Sequence, residues 1–93
     1  MTIKEIQKKV LPLLQSYDIH RAGLFGSSAR EQMSAESDVD ILIDLKNDVG
    51  LVEFVGLKQK LEEELGRPVD LVEYGMLKPA LREKILQSEV ALL

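Results

Sequence analysis

The sequence predicts a small domain of the α+β class (α/β two-layer), in which helices pack on a small mixed β-sheet. Segments with helical spacing of apolar residues alternate along the chain with short β-rich runs, which is the layout of such a fold. The 93 residues, of which 45% are apolar and 30% charged, suit one domain over residues 1–93 with a single core. We therefore expect an ordinary globular protein.

The N-terminal segment predicts a helix to about residue 16. Thr2 and Glu5 form a T-x-x-E capping box, and apolar residues then recur at helical spacing. Pro12 lies inside this pattern, where it removes a backbone donor. The helix should therefore kink or split into two short pieces at that point.

Three further segments predict helices. One or two helical turns are expected over residues 27–33, and Pro79 suits the first turn of a last helix that ends near Leu86. A long helix is expected over residues 50–65, with Gly66 as its stop. Its apolar stripe consists of Leu51, Phe54, Val55, Leu57, Leu61 and Leu65.

Strand signals lie between these helices. Residues 17–20 predict a turn, and residues 22–25 a short buried strand. Residues 38–44 form a β-rich run with alternating faces, and residues 67–73 predict a third strand. Residues 90–93 predict either a final short strand or a docking tail.

Composition narrows the classes of partner. The net charge of −4 disfavours direct nucleic-acid binding, since neither short basic stretch is uniformly basic or interleaved with aromatic residues. No apolar run is long enough for a membrane span, and charged residues stand where a signal peptide would be apolar. The absence of cysteine removes disulfides and thiolate chemistry. These features predict a cytoplasmic protein whose chemistry rests mainly on oxygen ligands.

The central strand carries two like charges on one face. Asp38 and Asp40 are separated by one residue, so their carboxylates lie on the same side, about 6.6 Å apart along the chain. Unpaired, they would repel each other beside apolar neighbours. A hard divalent cation resolves this conflict, because Mg²⁺ is commonly held by one or two carboxylates together with phosphate oxygens and waters.

A phosphate cradle and a third acid are predicted beside this pair. Gly26 and Ser27 end a strand and begin a helical turn, where glycine admits a phosphate and the first amides point outward. Ser28 adds a hydroxyl and Arg30 a cation. Asp70 on a neighbouring strand would complete a two-metal arrangement.

Structural explanations compete with each of these assignments. A bare D-x-D often arises by chance, and only its combination with the Gly-Ser turn is specific. His20 and Asp44 are expected at the surface, and Glu62–Glu64 on the wet face of the long helix. Met33 and Met76 are expected to pack in the interior. The common glycine-rich phosphate motifs and the calcium-loop and zinc motifs are absent.

Residues 24–44 resemble the signature of nucleotidyltransferases of the DNA polymerase β superfamily, and most of all that of the minimal nucleotidyltransferases. The pattern L-F-G-S-x-A-R, a spacer and S-D-x-D-[LI] is matched by Leu24, Phe25, Gly26, Ser27, Ala29, Arg30, Ser37, Asp38, Asp40 and Ile41. Segments 67–72 and 77–82 resemble the family's third acidic strand and final helix. One departure is Glu31, which stands where the family commonly has glycine.

The resemblance implies a polymerase β-like fold and a set of roles. Gly26 and Ser27 would hold the triphosphate of ATP, with Arg30 nearby, and Asp38, Asp40 and Asp70 would be the catalytic and Mg²⁺-binding carboxylates. It also implies transfer of AMP to a tyrosine of a HEPN-domain ribonuclease toxin, with the protein acting as antitoxin in a hetero-oligomer.

Two other functions remain open from the sequence. The protein could be a catalytically silent antitoxin that neutralises the toxin by binding alone, its site altered by Glu31. It could also modify a small molecule, although no second domain is expected to shape an acceptor pocket.

Overall fold

A computed structural model describes residues 2–29, 38–45 and 50–93. The elements follow in the order α1 (Ile3–Ser16), β1 (Ile19–Leu24), α2 (Gly26–Ala29), β2 (Val39–Leu45), α3 (Leu51–Leu65), β3 (Val69–Glu73), a 3₁₀ turn (Tyr74–Met76), α4 (Pro79–Ser88) and β4 (Val90–Ala91). No helix within the described ranges has both the length and the apolar character needed to span a bilayer. The predicted α+β class is confirmed.

The four strands form one mixed sheet in the order β3-β2-β1-β4. β1 pairs antiparallel with both β2 and β4, whereas β2 and β3 are parallel. A parallel pair needs a crossover connection, and α3 supplies it between β2 and β3. The central position of β2 places its side chains between those of two neighbouring strands.

One face of the sheet carries the main core, against which α1 and α3 pack. Alternate residues of β2 point into it, and Val39, Ile41 and Ile43 have no exposed surface. The helices, the other strands and the residue after β4 contribute Ile6, Val10, Leu14, Ile19, Ala22, Leu24, Leu57, Leu61, Leu65, Val69, Leu71 and Leu92. The opposite face of β2 therefore presents the aspartates, together with Leu42, which is also fully buried.

The predicted first helix is confirmed, with both hydrogen bonds of the Thr2–Glu5 capping box. The predicted split at Pro12 is wrong, because one helix continues from Ile3 to Ser16. Pro12 is exposed, and so is Lys8, whose carbonyl loses its amide partner. Water can solvate that carbonyl, and the buried face of the helix is not interrupted.

β1 begins earlier than predicted. Ile19 and His20 belong to the strand instead of a turn, and Ile19 pairs with Leu45. The register shifts between Ile19 and Arg21, so a bulge at His20 breaks the alternation on which strand prediction depends. His20 is nevertheless exposed, as expected.

The burial of apolar residues in α3 differs from the predicted stripe near the start of the helix. Leu57, Leu61 and Leu65 are buried, but Leu51 and Val55 are exposed. Met76, predicted to pack in the interior, is 76% exposed. Leu51 and Met76 border a groove of about 470 Å³, lined also by Phe54, Leu71, Val72 and Glu73.

The C-terminal third follows the prediction with small differences. α4 begins at Pro79 as expected and ends at Ser88, two residues beyond the predicted end. Of the two alternatives for residues 90–93, the structure has a strand, β4, followed by Leu92 in the core.

Glu62 is not simply a solvated residue of α3. Its Oε2 accepts a hydrogen bond from the backbone N–H of Val69 at 2.9 Å and one from Lys58 Nζ at 3.2 Å. The Val69 amide first, and then Lys58, lower the pKa of the Glu62 carboxyl. This carboxylate therefore ties the end of α3 to the start of β3. Glu63 and Glu64 are exposed, as expected.

We expect opposite effects from two glycine-to-alanine changes in this region. Gly66 ends α3 with φ +66°, so Gly66→Ala should lower the free energy of unfolding by about 1 kcal/mol. Gly56 is helical with nothing within 4 Å of an added Cβ, so Gly56→Ala should raise it by about 0.5–1 kcal/mol. Urea unfolding measures both, and changes of the same sign would contradict this explanation.

We also expect Glu62→Gln to destabilise the protein in a pH-dependent manner. Because folding lowers the pKa of Glu62, its carboxylate stabilises the fold at neutral pH, and this contribution is lost as the pH falls through the folded-state pKa. Unfolding curves of the two proteins should differ at pH 7 and converge below the ordinary glutamate pKa of about 4.3. Glu63→Gln is the matched control, and an equal pH dependence there would contradict the assignment.

Candidate active site

Asp40 lies in β2 beside the turn that joins β1 to α2. The N–H of Phe25 donates to the carbonyl of Asp40 at 3.1 Å, which fixes the turn against the strand. Gly26 follows with φ +61°, and a Cβ there would lie 2.8 Å from Asp40 Oδ2. Glycine is thus required by both the backbone conformation and the adjacent carboxylate. The predicted cradle and the predicted metal ligand are immediate neighbours.

Ser28 supports Asp40 from the backbone side. Its hydroxyl oxygen accepts a hydrogen bond from the N–H of Asp40 at 2.9 Å, and its side chain is fully buried. The sequence pattern predicts this hydroxyl in the phosphate cradle, but the structure has it buried against the amide of β2. A short polar side chain at position 28 satisfies a strand amide that would otherwise lack a partner.

Asp70 and Asp38 complete a cluster of three carboxylates. In the parallel pairing of β2 and β3, Asp40 lies directly opposite Asp70, on the same face of the sheet. Asp38 immediately precedes β2, and Asp38 and Asp70 are both exposed. The structure therefore brings together all three acids predicted from the sequence, whereas Asp44, farther along β2, is exposed, as expected.

The electrostatics of this cluster are set by burial and by repulsion between like charges. Burial raises the pKa of the Asp40 carboxyl, and the negative charges of Asp70 and Asp38 raise it further. The ionised form of Asp40 is therefore disfavoured by its surroundings. A cation bound between the carboxylates would reverse this effect.

The donor set fits a hard cation whose coordination is completed by a ligand. Among residues 2–29, 38–45 and 50–93, no three acidic or histidine side chains are arranged to hold a metal ion by themselves. Mg²⁺ usually takes only one or two protein carboxylates, with substrate phosphates and waters as its other ligands. Asp40 with either neighbouring carboxylate provides that number of oxygen donors.

Several predicted residues lie wholly or partly outside the described part of the chain. Ser27 is the second residue of α2, but its side chain is not described. Arg30, Glu31, Met33 and Ser37 are outside the described residues. Their predicted positions stay predictions.

A second polar cluster, not predicted from the sequence, lies on the same face of the sheet. Glu89, just after α4, accepts hydrogen bonds from the Tyr74 hydroxyl and the Arg21 guanidinium. The Arg21 guanidinium also lies 4.5 Å from the centroid of the Tyr74 ring. The sequence contains one indication of this cluster. Gly23 lies inside a strand, where a glycine often marks the close approach of another group. That group is the Glu89 carboxylate.

The family model described as "Polymerase beta, Nucleotidyltransferase" matches residues 8–93. The chain belongs to this family, and within it to the minimal nucleotidyltransferases.

Two relatives match almost the whole chain. A protein of Methanocaldococcus jannaschii, MJ0435, named as a candidate protein adenylyltransferase, is 40% identical over 93 residues that make up 100% of both chains. Protein adenylyltransferase MntA of Thermococcus cleftensis is 33% identical over 94 residues, covering 97% of this chain and 95% of the relative.

Two solved structures are similar in fold. One, described as a candidate minimal nucleotidyltransferase, has a TM-score of 0.83 at 32% identity, covering 97% of this chain and 95% of that chain. The other, a toxin-antitoxin crystallised with AMP-PNP, has a TM-score of 0.81 at 25% identity, covering 94% of this chain and 72% of that chain.

We expect Ser28→Ala to lower the free energy of unfolding by about 1–3 kcal/mol, because the partly buried Asp40 amide would lose its acceptor. Ser88→Ala is the matched control. Ser88 is exposed at the end of α4, so its removal should change stability by no more than about 0.5 kcal/mol. Equal losses in the two variants by urea unfolding would contradict the role assigned to Ser28.

Proposed function

We propose that this protein is a Mg²⁺-dependent nucleotidyltransferase that transfers AMP from ATP to a tyrosine hydroxyl of a partner HEPN ribonuclease toxin, and so acts as its antitoxin. The observation that carries the proposal is the cluster of Asp38, Asp40 and Asp70 beside the positive-φ Gly26, in a chain of this family. The arrangement places carboxylates that could bind a cation next to the backbone turn that begins α2.

The triphosphate side of the site is formed by the turn into α2. Without a Cβ, Gly26 lets the turn approach the Asp40 carboxylate closely, which places the start of α2 beside the carboxylates. The first amides of α2 have no helical acceptor and would donate to a phosphate oxygen. Ser27 and Arg30 are assigned to the same role from the family resemblance.

The cation side of the site is formed by the carboxylates. When bound, Mg²⁺ would neutralise the phosphates and stabilise charge that develops during transfer. Asp40 together with Asp38 or Asp70 would hold it, and binding would offset the burial and the like charges that raise the pKa of Asp40. Ser28 and the β2–β3 pairing fix Asp40 before the substrate arrives, which lowers the reorganisation needed during catalysis.

The transfer itself is a substitution at the α-phosphorus of ATP. The acceptor oxygen forms a bond to this phosphorus, the bond to the oxygen bridging the α- and β-phosphates breaks, and pyrophosphate leaves. The acceptor proton passes to Asp70 or to water. Asp70 suits this role because it is the exposed member of the Asp40–Asp70 pair, accessible to an incoming hydroxyl.

The choice of partner and nucleotide draws on the similar proteins. Both relatives reported above bear the name protein adenylyltransferase, although only as a candidate for MJ0435. The similar toxin-antitoxin structure was crystallised with AMP-PNP, an analogue of ATP. These features support ATP as donor and a toxin as acceptor. The HEPN class and the tyrosine come from the family resemblance.

The intact mass of the partner toxin tests the proposal. After incubation with this protein, ATP and Mg²⁺, the toxin should gain one or more AMP units. Asp38→Asn combined with Asp40→Asn should abolish the gain, because the cation loses two carboxylate ligands. The double variant should remain folded, since it also removes like-charge repulsion.

Asp44→Asn is the matched control for this experiment. Asp44 lies on the same face of β2 but is exposed and away from the cluster, so its variant should still transfer AMP. If the unmutated protein neutralises the toxin in a stable complex without any gain in mass, the enzymatic proposal is wrong and the antitoxin acts by binding alone.

A further inference from the structure

The second polar cluster is built around a buried carboxylate. The Glu89 side chain is only 6% exposed, yet Tyr74 and Arg21 both donate hydrogen bonds to it. The guanidinium supplies the opposite charge that a buried carboxylate needs, and it also lies over the Tyr74 ring. Three elements distant in the sequence are thereby joined at one point.

Glu89 also contacts the strand that leads to the nucleotide cradle. Its carboxylate occupies the space where a Cβ of Gly23 would be, so no larger residue fits at that position without displacement. β4 follows Glu89 directly and pairs with Gly23 and Leu24 of β1. The Leu92 amide adds a hydrogen bond to the carbonyl of Ala22 at 2.8 Å. The residues held in this way lie only two to four positions before Gly26.

Polar contacts contribute to the attachment of α4. It has no fully buried residue, so apolar packing alone holds it weakly. At its start, Arg82 donates to the carbonyl of Tyr74 at 2.9 Å, and its end leads into Glu89. α4 packs against α2, the helix that begins at Gly26.

We infer that Arg21, Tyr74 and Glu89 form a latch that fixes α4 and β4 against the end of β1 and so positions the Gly26 cradle for nucleotide. Glu89 is thus a positioning residue, separate from the carboxylates proposed to bind the cation. The inference about nucleotide rests on the proposed function. The inference about the position of the cradle's backbone is independent of the proposed function, because the contacts of the latch lie within the protein without nucleotide.

The first test is amide hydrogen exchange in the protein without nucleotide. Glu89→Gln keeps the size of the side chain but removes the charge that pairs with Arg21. We expect the Leu92 and Phe25 amides to exchange at least about tenfold faster, since one reports on the β4 attachment and the other on the Gly26 turn. Glu83→Gln, on the exposed part of α4, is the matched control and should leave both rates unchanged.

A second variant tests the inference even if Glu89→Gln fails to fold. Tyr74→Phe keeps the aromatic ring under Arg21 and removes only the hydroxyl that donates to Glu89. It should speed exchange at the same two amides by a smaller factor. Faster exchange at Leu92 alone, in either folded variant, would overturn the inference, because the latch would then secure the C-terminus without positioning the cradle.

Nucleotide binding separates this inference from the proposed function. In calorimetry with AMP-PNP and Mg²⁺, Glu89→Gln should bind several-fold more weakly than the unmutated protein and the Glu83→Gln control. Unchanged affinity in the presence of faster Phe25 exchange would overturn the link between latch and nucleotide. If the unmutated protein binds no nucleotide, the proposed function and that link both fail, whereas the exchange rates still decide whether the latch fixes the turn.

Discussion

The parallel pairing of β2 with β3 is the constraint on which the site depends. It sets Asp40 opposite Asp70 and, one residue farther along, Ile41 opposite Leu71. Because side chains alternate between faces, a slip of one residue would turn one strand's apolar set away from the core. The burial of Val39, Ile41 and Ile43 therefore fixes the register, and the same register brings the carboxylates together. Core packing and site geometry are two consequences of one alignment.

This arrangement explains why two like charges can stand beside a buried strand. The apolar face of β2 stabilises the fold by roughly 1.5–3 kcal/mol for each fully buried large side chain. The charged face opposes folding through the desolvation and repulsion that raise the pKa of Asp40. Burial on one face thus maintains an unfavourable charge arrangement on the other, and that arrangement is suited to a bound cation.

Whether a feature could be predicted from the sequence depends on how far apart the interacting residues lie along the chain. The capping box, the Gly66 stop and the alternation in β2 are local patterns, and all three appear as expected. The bulge at His20 arises from pairing with β2, which no local pattern encodes. The exposure of Leu51 depends on how far neighbouring elements cover α3, so an apolar stripe alone could not reveal it.

The carboxylate cluster and the latch lie on one face of the sheet, and both show which contacts can be predicted from a sequence. Asp38 and Asp40 share a face because of the period of a strand. The same period separates Asp70 from Glu73 in β3, but the position of Asp70 opposite Asp40 depends on the pairing of the two strands. Arg21 and Glu89 are 68 residues apart, and their contact requires the order β2-β1-β4. In the local sequence, the glycine at position 23 inside a strand is the feature that indicates this contact. Strand period thus predicts which side chains of one strand share a face, whereas contacts between strands are visible only after the strands are ordered.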